Sequence, residues 1–387
     1  MAKKSTTRER GAPDWILLGA TAGLIALGMM MIYSSTSDLG YREWNDAAHF
    51  FKRQLIWLAI GLAVMLFAIR FPYQYWMRLS IPIMAGTLLL LLLVVILDLG
   101  RLLFGQSFSP VELAKLAMII YIGHWLSTKE GKLGTLPYGL LPFTIMVGVL
   151  TGLVVAQPDI SEAMVIVLVA VAMFFLAGAD VLQFLIGILG GGAAFAFVIT
   201  RLPYAIQRLE PYLKEIKDPL HSTNFQLSQG LLALGSGGIL GLGAGNGRMK
   251  FQWLPAAYTD SIFAIVGEEL GLLGCLLLIG LFAVLAYRGL RIAMTAPDSF
   301  GRLLAAGITC WITSQALINM AVVTGTIPFT GIALPFISVG GSSLVTCMLG
   351  VGIMLSISRA TNATATNRAA DRARNWQQAS SAEREVA

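Results

Sequence analysis

Ten apolar stretches, most of them about 17 to 25 residues long, restrict this chain to very few folds. At 1.5 Å per helical residue, each is long enough to cross the roughly 30 Å of hydrocarbon in a bilayer. A helix is the open-ended structure that pairs all of its own backbone polar groups there. The stretches are 15–35, 54–70, 79–97, 110–126, 136–156, 160–177, 181–200, 260–287, 303–323 and 341–358. Composition agrees: 56% of the 387 residues are hydrophobic and 12% charged, against about 25% charged in soluble domains. Mean hydropathy is +0.75. The expected fold is an all-α, polytopic integral membrane protein of ten transmembrane helices.

Basic residues orient it. With the N-terminus inside, sixteen Lys and Arg between Lys3 and Arg384 fall in inner segments, and Arg42, Lys52, Arg53 and Arg101 alone fall in short outer loops. That asymmetry puts both termini in the cytoplasm. The run after MAKKSTTRER reads as the first transmembrane helix, with no cleavable signal peptide expected. The net charge of +6 sits largely at the two ends and in short loops, so nucleic acid is not an expected partner. Cys275, Cys310 and Cys347 fall within spans, in an odd number that argues against a disulfide framework. Residues 1–14 form an inner tail. Residues 360–387, polar and poor in bulky apolar side chains, are expected to be disordered.

One outer loop is long. Residues 201–259, between the seventh and eighth helices, carry Arg201, Arg208, Lys214, Lys217, Arg248 and Lys250. A loop of that length escapes the charge rule and is expected to be a mobile gate. Within it, "QLSQGLLALGSGGILGLGAGNGRMKF" is apolar and Gly-rich, like a re-entrant or interfacial element.

Walker A, HExxH, CxxC and GxSxG motifs are absent. The chemistry available is a set of polar residues near the outer ends of the spans, where a charge is costly and needs a cavity or a partner. Glu112 and Lys115 in "SPVELAK" share a helix face three residues apart, as a local ion pair or as groups turned to a substrate. Asp159 in "QPD" is placed to cap a helix or to serve a site. In "TDSIFAIVGEELG", Asp260 opens a helix, as its cap or as a base. Glu268 lies about 12 Å further along and cannot share its proton, so Glu268 and Glu269 read as structural partners. The Pro- and Gly-rich "TGTIPFTGIALPFISVGGSS" (324–343) cannot be a regular helix. Its end, through Ser342 and Ser343, opens the last span with N–H groups that could receive an anion.

These segments resemble the SEDS family of shape, elongation, division and sporulation proteins, RodA and FtsW among them. The resemblance runs from residue 15 to Arg359 and is strongest over "GSGGILGLGAGNGRMKFQWLPAAYTDSIFAIVGEELG" and "TGIALPFISVGGSS", with "SPVELAK" and "QPD" in support. The stretches "MIYSS", "FFKRQLIWLAIGL" and "VVTGTIPFTGIALPF" look more like the FtsW division branch. The family implies a ten-span peptidoglycan glycosyltransferase that polymerises lipid II on the outer face of the cytoplasmic membrane. It implies work with a class B penicillin-binding protein, a transpeptidase, and with other division or elongation proteins, among membrane lipids.

Asp260 matches the last residue of the family's L-P-E-A-H-T-D motif, which implies a catalytic role. Where the motif has Glu and His, this chain has Ala256 and Tyr258; Ser161-Glu162 replaces Gly-Thr after "QPD", and Val339 replaces an aromatic. For the implied reaction, cations must meet a departing diphosphate. Lys115, Arg208, Arg248 and Lys250 are the candidates, with a divalent cation (Mg or Mn) as an aid and no organic cofactor. The other function suggested for this family is a lipid II flippase. That needs a polar path through both leaflets, whereas the intramembrane charges cluster in the outer half.

Overall fold

Every one of the ten apolar ranges carries a helix. The computed structural model describes residues 11–97, 108–129, 139–178, 180–201, 225–251, 253–328 and 330–386. The helices are α1 (Trp15–Trp44), α2 (His49–Arg70), α3 (Gln74–Ile96), α4 (Pro110–Thr128), α5 (Leu141–Val155) and α6 (Ile160–Leu176). Then follow α7 (Val181–Arg201), α8 (Phe225–Gly237), α9 (Ile262–Thr295), α10 (Ser299–Val323) and α11 (Gly341–Val386). Six are long and apolar enough to cross a membrane: α1, α2, α3, α9, α10 and the first part of α11. The helices α5 and α6 are apolar but shorter. The chain is therefore a multi-pass membrane protein.

Helix ends move where polar side chains find partners. The first helix continues nine residues past its expected end, because Ser34, Ser35 and Thr36 are buried against protein rather than set in lipid. It stops at Asn45, whose left-handed backbone (φ 51°) suits an amide side chain. The last helix runs on to Val386, so the tail expected to be disordered has helical backbone. From residue 360 it contains neither Gly nor Pro and is rich in Ala and Arg, both good helix formers.

The centre of the bundle is α4, packed against α3, α6, α10 and α11. Val111, Ala114, Lys115, Ile119 and Ile122 are all but fully buried. A helix surrounded by protein can carry charge that a lipid-facing helix cannot. Beside it, α10 buries Trp311, Gln315 and Asn319 on one face.

The element that most shapes the site is a break in α9. At Gly271 the backbone leaves helical geometry (φ 65°, ψ −165°). The freed carbonyls of Glu268 and Glu269 accept from Leu242 and Gly243 N–H, both at 3.0 Å. The freed N–H groups of Leu272 and Leu273 donate to Gly238 and Ile239 carbonyls at 2.9 and 3.2 Å. The glycine loop that follows α8 thus docks into the break and pairs all four groups, which non-helical backbone inside a membrane protein requires. A Cβ on Gly271 would collide with Gly241 N, so the approach depends on glycine on both sides. The segment expected to be a mobile gate is, from Phe225 onward, a folded part of the bundle. Its earlier residues, with Arg208, Lys214 and Lys217, lie outside those described.

Candidate active site

A cavity of about 300 Å³ opens where α2, α4, α6, the start of α11 and the turn before α9 meet. Asp260 lines it, together with Glu112, Asp159, Glu162, Arg53 and Tyr258. Phe50, Gln54 and Trp57 of α2 and residues Gly340–Ser343 are also on the wall.

Asp260 is not the helix cap that its position predicts. Thr259 and Ser261 N–H both donate to Ala256 O, closing a turn that delays the helix. Ser261 takes the cap position, and Asp260 stands outside the helix. Its backbone is held firmly. The carbonyls of Tyr258, Thr259 and Asp260 accept in turn from Val339 N–H (2.9 Å), Ser338 Oγ (2.6 Å) and Asn319 Nδ2 (2.8 Å). Asn319 also donates to Ile332 O, and Gln315 Nε2 to Ala333 O. Two amides one turn apart on α10 therefore anchor both the irregular 324–340 segment and the Asp260 turn. Neither was identified from sequence. Their spacing of four residues within an apolar span was the available signal.

Lys115 has both of its predicted lives narrowed to one. Its ammonium lies 2.9 Å from Glu112 Oε2, 2.8 Å from Glu162 Oε2 and 2.8 Å from Gln315 Oε1. The local pair with Glu112 exists, and Glu162 makes it a triad with one carboxylate in excess. The two carboxylates line the cavity; the ammonium does not. Lys250 is likewise engaged elsewhere. It donates to Glu269, Ser34 Oγ and Gly245 O, in a buried pair that ties the glycine loop to α9. Glu269 also accepts from Ser34 Oγ and Gly245 N–H, and Glu268 from the N–H groups of Arg248 and Met249. The two acids inside α9 are thus structural partners, as their depth predicts. Arg248 is exposed and away from the cavity. Among the described residues the cation lining the cavity is Arg53, which the charge count had merely assigned to an outer loop.

Asp159 caps α6 by accepting from Glu162 N–H at 3.4 Å, and it also lines the cavity, so both of its readings hold geometrically. Ser342 Oγ accepts from Ser109 N–H at 2.9 Å and joins the start of α11 to that of α4. Ser343 is beside it on the wall. Departures from the family motif gather here as well: Tyr258, Glu162 and Val339 all line the cavity, while Ser161 Oγ donates to Thr330 O. Burial, then the negative charges of Glu43 and Asp260, push the Tyr258 phenol above its ordinary value, so it stays a neutral hydrogen-bond donor at physiological pH. Among the described residues no group of three His, Cys, Asp or Glu is placed to hold a metal ion.

This arrangement of cavity, clamped aspartate and broken helix lies within residues 15–363, which match the cell cycle protein family of FtsW, RodA and SpoVE. The chain belongs to this family. Among its relatives, the "Probable peptidoglycan glycosyltransferase FtsW" of Trichlorobacter lovleyi is 38% identical, over 89% of this chain and 93% of the relative. Stage V sporulation protein E of Bacillus subtilis is 39% identical over 91% and 99%. A solved structure described as "Structural coordination of polymerization and crosslinking by a peptidoglycan synthase complex" contains a similar chain. The TM-score is 0.71 at 26% identity, covering 90% of this chain and 98% of that one. The crystal structure of the rod shape determining protein RodA of Thermus thermophilus matches with TM-score 0.65 at 25% identity, over 90% and 97%. The FtsW and SpoVE relatives support the division-branch likeness over the RodA branch.

Proposed function

We propose that this family member is a peptidoglycan glycosyltransferase that joins lipid II units into glycan strands, with Asp260 as its base. The observation that carries this reading is the clamped Asp260 turn, which holds a carboxylate at the wall of a polar cavity at one end of the bundle. Lipid II bears its reactive sugar on a diphosphate at the membrane surface, so the bond to be broken lies at that depth. Asp260 takes the proton of an acceptor sugar hydroxyl. The oxygen attacks the anomeric carbon of the donor from the opposite face, and the diphosphate leaves with the bonding electron pair, inverting the centre. Arg53 is the residue on the wall suited to the charge that develops on the leaving group. No step is assigned to a metal.

The chain is taken to cross the cytoplasmic membrane ten times, with both ends inside and the cavity facing out. The peptidoglycan synthase complex among its structural neighbours supports a crosslinking partner, which we assign to the class B penicillin-binding proteins. The Trichlorobacter relative is named as a probable glycosyltransferase, which does not favour the flippase alternative. The deciding experiment is polymerisation of purified lipid II by the purified protein, alone and with such a partner. Asp260→Asn keeps side-chain size and should stay folded in the membrane while losing about two or more orders of magnitude in glycan synthesis. Near-normal synthesis by that variant would sink the assignment.

A further inference from the structure

A second cavity, of about 500 Å³, lies at the opposite end of the bundle. It is lined by the first residues of α1, the last turns of α9 and the stretch of α11 around Ser358–Asn362. From Ile262, next to the Asp260 turn, to Arg288 on its wall, α9 spans about 40 Å. The catalytic proposal makes no use of this cavity.

Its polar groups are mostly committed to one another. Asp14 caps α1 through the N–H groups of Ile16 and Leu17, and its carboxylate also accepts from Arg288 Nε at 2.9 Å and from Nη2. Asp14 N–H donates to Ser358 Oγ, and Asn362 Nδ2 to Ala12 O. The walls are therefore built and tied across three helices. What stays uncommitted is positive. Arg291 touches its neighbour Tyr287 Oη at 3.4 Å, and among the described residues no carboxylate is within ion-pair distance of it. Arg288 keeps the Nη1 side of its fork beyond the two nitrogens given to Asp14. The cavity thus holds two guanidiniums against one carboxylate.

The same wall is apolar on its outer side. Trp15 and Ile16, both lining the cavity, are 68% and 54% exposed, and Tyr287 and Met294 of α9 are 59% and 74% exposed. Indole and phenol rings at the end of a membrane span sit at headgroup level. We propose that this cavity binds an anionic phospholipid. Its phosphate meets Arg291 and the free side of Arg288, and its chains lie along Trp15, Ile16 and Met294. A guanidinium fork matches phosphate oxygens in pairs, and basic pockets between helices are where such headgroups bind. A soluble phosphate ester would share the charge recognition but would leave the apolar wall uncovered.

The test uses the full-length protein in phosphatidylcholine vesicles carrying a minor share of brominated lipid. Trp15 emission is read as the difference between the protein and its Trp15→Phe variant. Brominated phosphatidylglycerol should quench Trp15 more strongly than brominated phosphatidylcholine at the same mole fraction. Arg291→Gln should lower that preference about fivefold, which is the roughly 1 kcal/mol that one basic residue contributes at an anionic surface. Arg291→Lys, which keeps the charge but loses the fork, should fall between the two, and excess soluble glycerol phosphate should leave the preference unchanged. Equal quenching by the two lipids in the unaltered protein overturns the proposal, whatever the variants do. So does an undiminished preference in folded Arg291→Gln, and competition by glycerol phosphate would assign the cavity to a soluble ester instead.

Discussion

Lys115 shows how a single buried charge changes meaning once its neighbours are known. With two carboxylates and an amide around it, its removal leaves two acids in a protein interior. Breaking one side of a buried pair costs about 3–5 kcal/mol. We therefore expect Lys115→Met to lower thermal stability by about that much, measured by unfolding in detergent. Glu112→Gln added to it should restore part of the loss, and Glu112→Gln with Glu162→Gln most of it. Full recovery with Glu112→Gln alone would show that Glu162 is not a partner. Arg53 gives the complementary case. Lining the cavity that holds Asp260, it should act on turnover, and Arg53→Gln should slow polymerisation by roughly two orders of magnitude. The readout is kcat for lipid II, with the melting temperature unchanged. A change confined to stability would return Arg53 to the role of an ordinary loop charge.

At the scale of elements, the break in α9 is the structural device that places the site. A continuous helix from Ile262 to Thr295 would offer no backbone groups to the glycine loop, and the loop in turn supplies the hydrogen bonds that make the break tolerable. Glu268 and Glu269 hold the far side of that loop through six backbone and side-chain donors, including Ser34 on α1. The prediction follows from sterics. Gly271→Ala places a methyl group against Gly241 N and Ile239 O at a φ that alanine disfavours, costing roughly 2 kcal/mol or more. Hydrogen exchange over residues 238–250 should then quicken while α10 stays protected. Unchanged exchange in that segment would mean that the docking does not depend on this close approach.

For the whole molecule, the testable quantity is orientation. The turn between α1 and α2 and the turn between α9 and α10 lie at opposite ends of the bundle, since α1 and α9 pack together with their own starts and ends reversed around Asp14 and Arg288. Two of the native thiols, Cys275 and Cys347, are buried, and Cys310 is partly so. A cysteine introduced as Asn45→Cys should react with a membrane-impermeant maleimide applied to intact cells, and Ala296→Cys should react only after lysis. The reverse pattern would invert the proposed topology and move the Asp260 cavity to the inner face.

What the amino-acid order determined alone were the properties that depend on neighbours in the chain. Apolar length marked ten ranges, each of which carries a helix, because lipid imposes a local rule on every residue in a span. Pro and Gly density marked 324–343 as irregular, of which the structure gives Gly341–Ser343 to the last helix, and Asp159 was legible as a candidate cap, for the same reason of locality. The motif around Asp260 was legible as well, but its pose was not. Whether Asp260 caps α9 depends on a turn closed by Ala256 and on donors from Asn319 and Ser338, far along the chain. The fate of the cations was equally hidden. Lys115 reads as half of a local pair or as a substrate contact, and Lys250 as a free charge beside a site, until tertiary packing brings Glu162 from α6 and Glu269 from α9 against them. Arg53 looks like a loop charge until α2 is laid beside α11. Burial and pairing are decided by residues distant in sequence, and a charge's role in a low-dielectric interior is set by those partners more than by its own identity.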